Sequence, residues 1–254
     1  MTVRLEKQGP IARLLIDRAE KRNAFTQKMW ESFAVLLQDA IADKSIRAVL
    51  LQSVAPGIFC AGADIGELST AALDAQWRTS NQAAIRKAQF ELARAPKTTI
   101  ALIDGDCVGG GCGLAIACDI RIASRRARLG ITPAKLGLVY SLHDTKLLVD
   151  LVGPSQAKRL LFSGQLLDAE EAHRIGLIDI MSHDVQGEGA ALAEVIAANS
   201  SYAVRGIKAI VRRILDGQVD DDAETRRVFA DAFTGEDFTE GLAAFLDKRK
   251  AQFK

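Results

Sequence analysis

The sequence is poor in the residues that mark metal sites, disulfide scaffolds and membrane spans. Its 254 residues include three histidines and four cysteines. The histidines are scattered and predict no metal site. No two cysteines form a CxxC pair, which is typical of reduced, partly buried thiols in a cytoplasmic protein. No apolar run reaches the ~18 residues that suggest a membrane span. The N-terminus is charged too early for a signal peptide, so we expect a cytoplasmic protein without membrane attachment.

An excess of charge of one sign is lacking as well. Lys and Arg total 33, against 32 for Asp and Glu. The chain as a whole is therefore not built to attract nucleic acid or an anionic membrane. One basic cluster stands out, and a solvated face or contacts to phosphate would explain it. It consists of Arg121, Arg125, Arg126 and Arg128.

Alternating strand and helix patterns fill the first half of the chain and predict an α/β layered fold with mostly parallel strands. A hairpin is expected first, turning at Gly9-Pro10, and Thr26 is expected to cap the first helix. The further expected elements are strands at 48–51, 98–103 and 120–123, a helix at 74–94 and a turn-rich loop at 53–66. The segment 105–119 is Gly-rich and then apolar, which suits a loop that leads into a helix packed in the core.

The C-terminal part is predicted to be mainly helical. A helix broken at Gly153-Pro154, a helix capped by Asp168 and a strand at 177–181 precede helices that run nearly to the end. We therefore predict an α/β core over 1–195 and a helical region over 196–254 that serves oligomerisation. An apolar face of the last helix, with Leu242, Phe245 and Leu246, suits packing against another subunit.

Two loops made of small residues follow buried strands, at 59–65 and 104–113. Small residues let a ligand approach the backbone, and ligands bind at the carboxyl ends of strands in open α/β sheets. The second loop also opens a helix, whose first N–H groups are unpaired. Tight turns and close packing would explain the glycines equally well. The spacing fits neither a P-loop nor a dinucleotide fingerprint.

The same segments carry a family resemblance. Residues 100–120, IALIDGDCVGGGCGLAIACDI, resemble the signature of the enoyl-CoA hydratase/isomerase (crotonase) family. Four further motifs resemble that family in the right order and extend the resemblance to nearly the whole chain. They are DRAEKRNA at 17–24, FCAGADI at 59–65, LLFSG at 160–164 with the region 168–178, and GLAAFLDKRK at 241–250.

The resemblance implies a spiral of ββα units whose C-terminal helices build homo-trimers, often paired into hexamers. It implies an acyl-CoA thioester as the small-molecule partner, with coenzyme A as part of the substrate and no separate cofactor. The backbone N–H groups of Ala63 and Gly110 would then stabilise an enolate-like oxyanion, as fixed donors do in acyl-transfer sites. The resemblance also implies which residues contact the CoA moiety: Arg22, Ala24, Ala61, Asp64, Ile65, Phe245 and Lys248. Phe245 and Lys248 would come from a neighbouring subunit.

The sequence departs from the family where proton transfer takes place. The family's hydratases have two catalytic glutamates, and the corresponding positions here are Gly113 and Pro133. General acid–base catalysis contributes about 10²–10⁴-fold. We therefore expect ordinary hydration of a simple enoyl-CoA to be nearly abolished unless another residue substitutes.

Three polar residues are candidates for that substitution. Residues 132–140 resemble the family's methylmalonyl-CoA decarboxylase branch, in which a tyrosine at the place of Tyr140 lines the acyl pocket. His143 could serve as acid or base near neutral pH, and Asp144 could orient it. The structural alternatives are a tyrosine packed between helices, a surface histidine and an aspartate that caps a helix. Glu67 could face the pocket, although a solvated side chain is favoured.

These observations leave several functions open. An acyl-CoA enzyme could catalyse hydration or dehydration, double-bond isomerisation or decarboxylation. A non-catalytic acyl-CoA-binding protein is the second possibility, supported by the missing glutamates. RNA binding is the third and is disfavoured by the balanced charge, so no nucleic-acid partner is expected.

Overall fold

The computed structural model describes residues 2–253, and ten strands and ten α-helices lie in that range. The strands are β1 (Val3–Gln8), β2 (Ile11–Ile16), β3 (Ala48–Ser53), β4 (Gly57–Cys60), β5 (Thr98–Ile103), β6 (Gly105–Val108), β7 (Ile120–Ser124), β8 (Arg128–Gly130), β9 (Leu167–Asp168) and β10 (Ile180–Ser182). The helices are α1 (Gln27–Ala42), α2 (Ile65–Ala71), α3 (Ala75–Ala93), α4 (Gly110–Ala117), α5 (Leu142–Ser163), α6 (Ala169–Arg174), α7 (Val185–Ala197), α8 (Ser201–Leu215), α9 (Ala223–Thr234) and α10 (Glu236–Leu246).

A six-stranded sheet in the order β1-β2-β3-β5-β7-β10 forms the main layer. The predicted hairpin is confirmed: β1 and β2 pair antiparallel from Val3↔Ile16 to Gln8↔Ile11. The other neighbours pair in parallel. Every residue of β5 is buried, as expected of a parallel strand covered on both faces.

A second sheet in the order β4-β6-β8-β9 was not expected from the sequence. β4 and β6 lie in segments predicted to be loops. Each has only four residues and begins with glycine, so neither length nor β-propensity identifies it. Three times the chain passes from the first sheet to a short strand of the second and then to a helix. These ββα repeats confirm the predicted fold class.

Capping follows the sequence in most helices. Thr26 accepts a hydrogen bond from the Met29 N–H and begins α1, as predicted. The prediction that Asp144 caps α5 is wrong: Ser141 is the N-cap and accepts from the Asp144 N–H at 3.1 Å. Gly153, with φ of 73°, interrupts α5 one residue before Pro154, where a break was expected.

The last three helices bury little of their own surface. α8 has no buried residue, while α9 and α10 have one each. Large apolar side chains on them are exposed, including Phe229, Phe233 and Phe245. The division of the chain at residues 195 and 196 stays a prediction. None of the helices in residues 2–253 is both long and apolar enough to span a bilayer.

Candidate active site

Two neighbouring strands of the second sheet deliver the small-residue loops to the same edge. β4 and β6 pair in parallel, with Gly57 opposite Gly105 and Cys60 opposite Cys107. The carboxyl ends of parallel strands meet at one edge of a sheet. The loop that follows β4 therefore begins beside the loop that follows β6, and the expected proximity of the two loops is confirmed.

Gly62 is the point where these loops touch. Its φ of +97° is one that side-chain-bearing residues rarely adopt. A Cβ on Gly62 would lie 2.9 Å from the Val108 carbonyl oxygen and 3.1 Å from the Gly110 nitrogen. Glycine is required here both by the backbone angle and by the close approach of the second loop.

The Ala63 N–H points away from Phe25, the residue with which Ala63 is paired. Phe25 and Ala63 form an isolated parallel bridge. In it the Phe25 N–H donates to the Gly62 carbonyl at 2.7 Å, and the Asp64 N–H donates to the Phe25 carbonyl at 2.9 Å. Ala63 lies between these two bonds, so its own N–H faces the opposite side. Within residues 2–253 this N–H donates to no protein group.

The Gly110 N–H is the first donor of α4. Gly109, with φ of 56°, makes the turn into the helix, and its N–H donates to the Gly130 carbonyl at 2.8 Å. Gly110 packs against Trp30, whose ring would lie 3.0 Å from a Cβ at this position. Its N–H has no acceptor in the part of the chain that the structure describes. A free donor at a helix N-terminus carries positive partial charge.

Position 113, one turn along α4, is filled by neighbouring side chains. A Cβ on Gly113 would lie 2.0 Å from the end of the Gln89 amide and 3.0 Å from the Tyr140 hydroxyl oxygen. The Tyr140 hydroxyl is buried and has no hydrogen-bond partner among the described residues. Burial raises the pKa of Tyr140 well above its ordinary value, so the hydroxyl keeps its proton. The other glutamate position, Pro133, begins a 3₁₀ turn and contributes no carboxylate.

Asp144 is a buried carboxyl group beside this space. It is 5% exposed, and the Ser141 hydroxyl donates to it at 2.8 Å. Burial raises the pKa of Asp144, opposed by the Ser141 hydrogen bond and the nearby His143. The His143 Nδ1 lies 3.4 Å from the carboxylate. Burial lowers the pKa of His143, which favours the neutral ring near pH 7.

Gln89 completes the cluster and was missed in the sequence. It lies on α3 and is 1% exposed. With the amide nitrogen turned to the carboxylate, Nε2 donates to the two oxygens of Asp144 at 2.8 and 3.0 Å. One sequence signal existed: Asn81 and Gln89 are polar residues on the otherwise apolar buried stripe of α3. That pattern could not show which group Gln89 meets, because Asp144 is far away in the chain.

The predicted CoA-binding residues of the first motif lie beside the Ala63 loop. The Ala61 N–H donates to the Arg22 carbonyl at 3.0 Å. The Arg22 side chain is exposed and its guanidinium contacts Asp106 at 2.5 Å. Ala24 is buried, and its carbonyl accepts from Arg18 at 2.7 Å. The three predicted residues are therefore brought together.

Asn23 is a further residue of this motif that sequence reasoning missed. It is fully buried with φ of 57°. Its side chain donates to the Ser53 hydroxyl at 2.7 Å and to the Phe59 carbonyl at 3.0 Å. Asn23 thus fastens the first motif to the end of β3 and to β4. A polar residue between Arg22 and Ala24 was the only signal.

The remaining predicted CoA residues differ in how they are engaged. Asp64 caps α2 by accepting from the Glu67 N–H at 3.0 Å and pairs with Arg18 at 2.6 Å. Ile65 is exposed on the first turn of that helix. Phe245 is exposed near the end of α10, and Lys248 follows it with φ of 54°. Contact of these residues with CoA stays a prediction.

Other sequence expectations are corrected by the structure. Glu67 is half-buried rather than solvated, and it accepts from the Gln27 N–H at 2.8 Å at the start of α1. The predicted basic cluster loses Arg121, which is fully buried and pairs with Asp179 at 2.6 Å. The cysteines are free thiols and fully buried rather than partly so. Over residues 2–253, no three His, Cys, Asp or Glu side chains gather as a metal site.

An apolar cavity lies elsewhere in the molecule. It has a volume of about 490 Å³ and runs between the C-terminal end of α4, α5 and α8. Ile116, Leu147 and Ile207 are among its lining residues. The two free N–H groups are at the opposite end of α4, so this cavity is not where a bound carbonyl would meet them.

Comparison with known proteins agrees with this geometry. The family model described as enoyl-CoA hydratase/isomerase matches residues 6–254. The mouse (Mus musculus) mitochondrial methylglutaconyl-CoA hydratase is 32% identical over 98% of this chain and 81% of its own length. The short-chain-enoyl-CoA hydratase of Clostridium acetobutylicum is 31% identical over 98% of this chain and 95% of its own length. The crystal structure of an enoyl-CoA hydratase/carnithine racemase from Magnetospirillum magneticum superposes with a TM-score of 0.95 at 32% identity, covering 100% and 96% of the two chains.

The ββα fold and the two loops define a class of protein in which free backbone N–H groups lie where two adjacent parallel strands, β4 and β6, end. The matches identify the class by name: the chain belongs to the enoyl-CoA hydratase/isomerase family of acyl-CoA-processing enzymes.

Proposed function

We propose that this enzyme binds an acyl-CoA thioester with its carbonyl oxygen between the N–H groups of Ala63 and Gly110. The observation that carries the proposal is the pair of free donors at the ends of adjacent parallel strands. Loss of a proton or a carboxyl group at Cα of a thioester moves an electron pair towards the carbonyl oxygen. Fixed donors stabilise the resulting enolate, each contributing about 2.7–4 kcal/mol.

Proton transfer is assigned to the cluster beside Gly113 in place of the family's two glutamates. Asp144 is the titratable carboxyl group of that cluster, and burial raises its pKa, which increases its affinity for a proton taken from the substrate. His143 lies against the same carboxyl group, with its Nδ1 at 3.4 Å. This arrangement would supply acid–base chemistry without a side chain at either position 113 or 133.

Decarboxylation of a malonyl-type thioester is the second candidate. The buried Tyr140 hydroxyl has no partner among the residues described, and it could donate to a substrate carboxylate. When the carbon–carbon bond breaks, its electron pair forms the enolate, CO₂ leaves, and Cα then takes a proton. This reaction needs only the oxyanion donors, an orienting group and a proton donor.

The CoA moiety would lie along Arg22, Ala24 and the 61–65 loop, with Phe245 and Lys248 contributed by a neighbouring subunit. We propose a homo-trimer or hexamer built through α8, α9 and α10, whose apolar faces are exposed on the single chain. No cofactor besides the CoA of the substrate is needed for the chemistry described.

A substitution at Gly110 tests the oxyanion donor directly. Proline suits the first position of a helix and lacks an N–H, so Gly110→Pro should lower kcat about 10²–10³-fold. Gly110→Ala is the matched control, because its Cβ crowds Trp30 in the same way but keeps the donor. The substrates to compare are crotonyl-, malonyl- and methylmalonyl-CoA.

The outcomes separate the candidates. Turnover of the enoyl thioester supports hydration, and CO₂ release from the malonyl thioesters supports decarboxylation. Equal activity of the proline and alanine variants would contradict the oxyanion assignment. Binding of every thioester by calorimetry without any product would instead identify an acyl-CoA-binding protein.

A further inference from the structure

Gln89 stands where the family's first glutamate would begin. The end of its amide comes within 2.0 Å of the point that a Cβ on Gly113 would occupy. Gly113 has no unusual backbone angle, since it lies inside α4 and φ there is not positive. Position 113 therefore lacks a side chain because the space is already filled, and the group that fills it is the Gln89 amide from another helix.

The orientation of that amide is set by Asp144. Both carboxylate oxygens accept from Nε2, at 2.8 and 3.0 Å. An amide whose nitrogen faces Asp144 turns its carbonyl oxygen the other way, towards Gly113. A buried amide with a carboxylate acceptor on one end is held in one orientation, because hydrogen bonds to charged groups are stronger than those between neutral groups.

We infer that Gln89 is a catalytic residue of this enzyme, whose side-chain carbonyl oxygen accepts a hydrogen bond from a water or a substrate hydroxyl beside Gly113. Asp144, the proton-exchanging group of the proposed function, also orients the Gln89 amide. The inference rests on the proposed function. It names the group that replaces the glutamate at position 113: an acceptor that cannot itself carry a proton, coupled to a carboxyl group that can.

The surroundings allow a pH test of this pair. His143 and Tyr140 face Asp144 from its own segment, and Cys112 of α4 lies near the Tyr140 hydroxyl. Burial lowers the pKa of His143, and arginines of two other helices lower it further: Arg212 of α8, and Arg86 and Arg94 of α3. A second carboxyl group placed at position 89 would contact Asp144 directly, and two such groups in contact do not both ionise readily.

The decisive variant is Gln89→Glu. In its protonated form the new side chain donates to Asp144 and turns a carbonyl oxygen to Gly113, as glutamine does. In its ionised form it has no proton to donate. We expect near wild-type kcat at low pH and, as pH rises through the shared pKa, a loss at least tenfold larger than any change of wild-type kcat over the same range.

Two further variants test whether the acceptor oxygen of Gln89 itself is required. Gln89→Leu keeps the volume and removes the acceptor, and it should lower kcat at least tenfold while KM changes by less than about threefold. Asn81→Leu makes the same change about two turns away on α3, at roughly 12 Å along the helix, and should leave kcat unchanged.

A thermal melt of Gln89→Glu against pH gives a readout that needs no substrate. The raised pKa of the carboxyl pair stabilises the fold at low pH, and that stability is lost as pH rises through it. A wild-type kcat in Gln89→Leu, or a flat pH profile for Gln89→Glu, would overturn the inference while the proposed function stood. If wild type turns over no thioester, the proposed function fails and this role fails with it, even if the melting temperature of Gln89→Glu depends on pH as expected.

Discussion

At the scale of single residues, Gly113 is a position where the family resemblance predicts a glutamate and this chain has no side chain. A catalytic carboxylate could not be restored there by one substitution, because the Gln89 amide and the Tyr140 hydroxyl border the space. Which side chains position 113 can accept therefore depends on the side chain at position 89.

Adding a single methyl group tests that link. Gly113→Ala should destabilise the fold by about 1–3 kcal/mol, because overpacking at Gln89 outweighs the better helix propensity of alanine. Gly206→Ala is the matched control on α8, where a Cβ would meet nothing closer than 3.5 Å, and should be neutral or stabilising. Denaturant unfolding of both variants measures the difference.

Combining Gly113→Ala with Gln89→Ala should recover part of the loss, since residues in contact do not act additively. Strict additivity of the two single changes would show that Gln89 does not occupy this space in solution.

Much of the site could be predicted from the sequence, and the part that could not has a physical cause. The two loops follow from local patterns, small residues after buried strands, and the resemblance to the family singles out the N–H groups of Ala63 and Gly110 within them. The contact of Gln89 with Asp144 joins α3 to α5 and leaves no periodic mark. Similarly, β4 was missed because four residues beginning with glycine show no alternation, although the sheet that holds the donors depends on it.

At the scale of elements, Arg18 and Asp64 connect the first motif to the loop that holds Ala63. Their side chains form an ion pair at 2.6 Å and are only 15% and 13% exposed. Arg18 also donates to the Ala24 carbonyl. One guanidinium thus holds two segments that flank the Ala63 N–H.

Asp64→Asn keeps a helix cap but removes the charge. Donation by the Glu67 N–H, followed by Arg18, lowers the pKa of Asp64 below its ordinary value of 3.8. A carboxyl group with a lowered pKa contributes stability above that ordinary value, and the contribution is lost as pH falls through the folded pKa. We expect the variant to be about 1–2 kcal/mol less stable at pH 7 and equal to wild type in strong acid.

Urea unfolding of the two proteins between pH 7 and pH 2 measures this difference. A gap that does not change with pH would mean that the ion pair contributes nothing and that the loss has a steric origin.

At the scale of the whole molecule, the C-terminal helices leave an apolar surface uncovered. Phe229 and Phe233 on α9 and Phe238 on α10 stack edge to face, and each is at least 44% exposed. Exposed apolar patches of this kind mark interfaces between proteins. A second copy of the chain is the partner that the family resemblance implies.

Sedimentation tests that assembly. Wild type should sediment as three or six copies of the 27.4 kDa chain, and Phe233→Asp should shift it towards smaller species. Val35→Asp introduces the same charge at an exposed site on α1 and should leave the assembly intact. A wild-type monomer at micromolar concentration would contradict the prediction.

The placement of the two donors on the backbone has a consequence for how this enzyme tolerates mutation. Any residue except proline at position 63 supplies the same N–H group, so saturation mutagenesis there should report steric fit rather than chemical identity. In the proposed mechanism positions 89, 140 and 144 act through their side chains, so each should accept few replacements. A mutational scan of the site should therefore show two groups of positions. Those that would bind the thioester through the backbone should tolerate many residues, and those that would act through their side chains should lose or change activity when substituted.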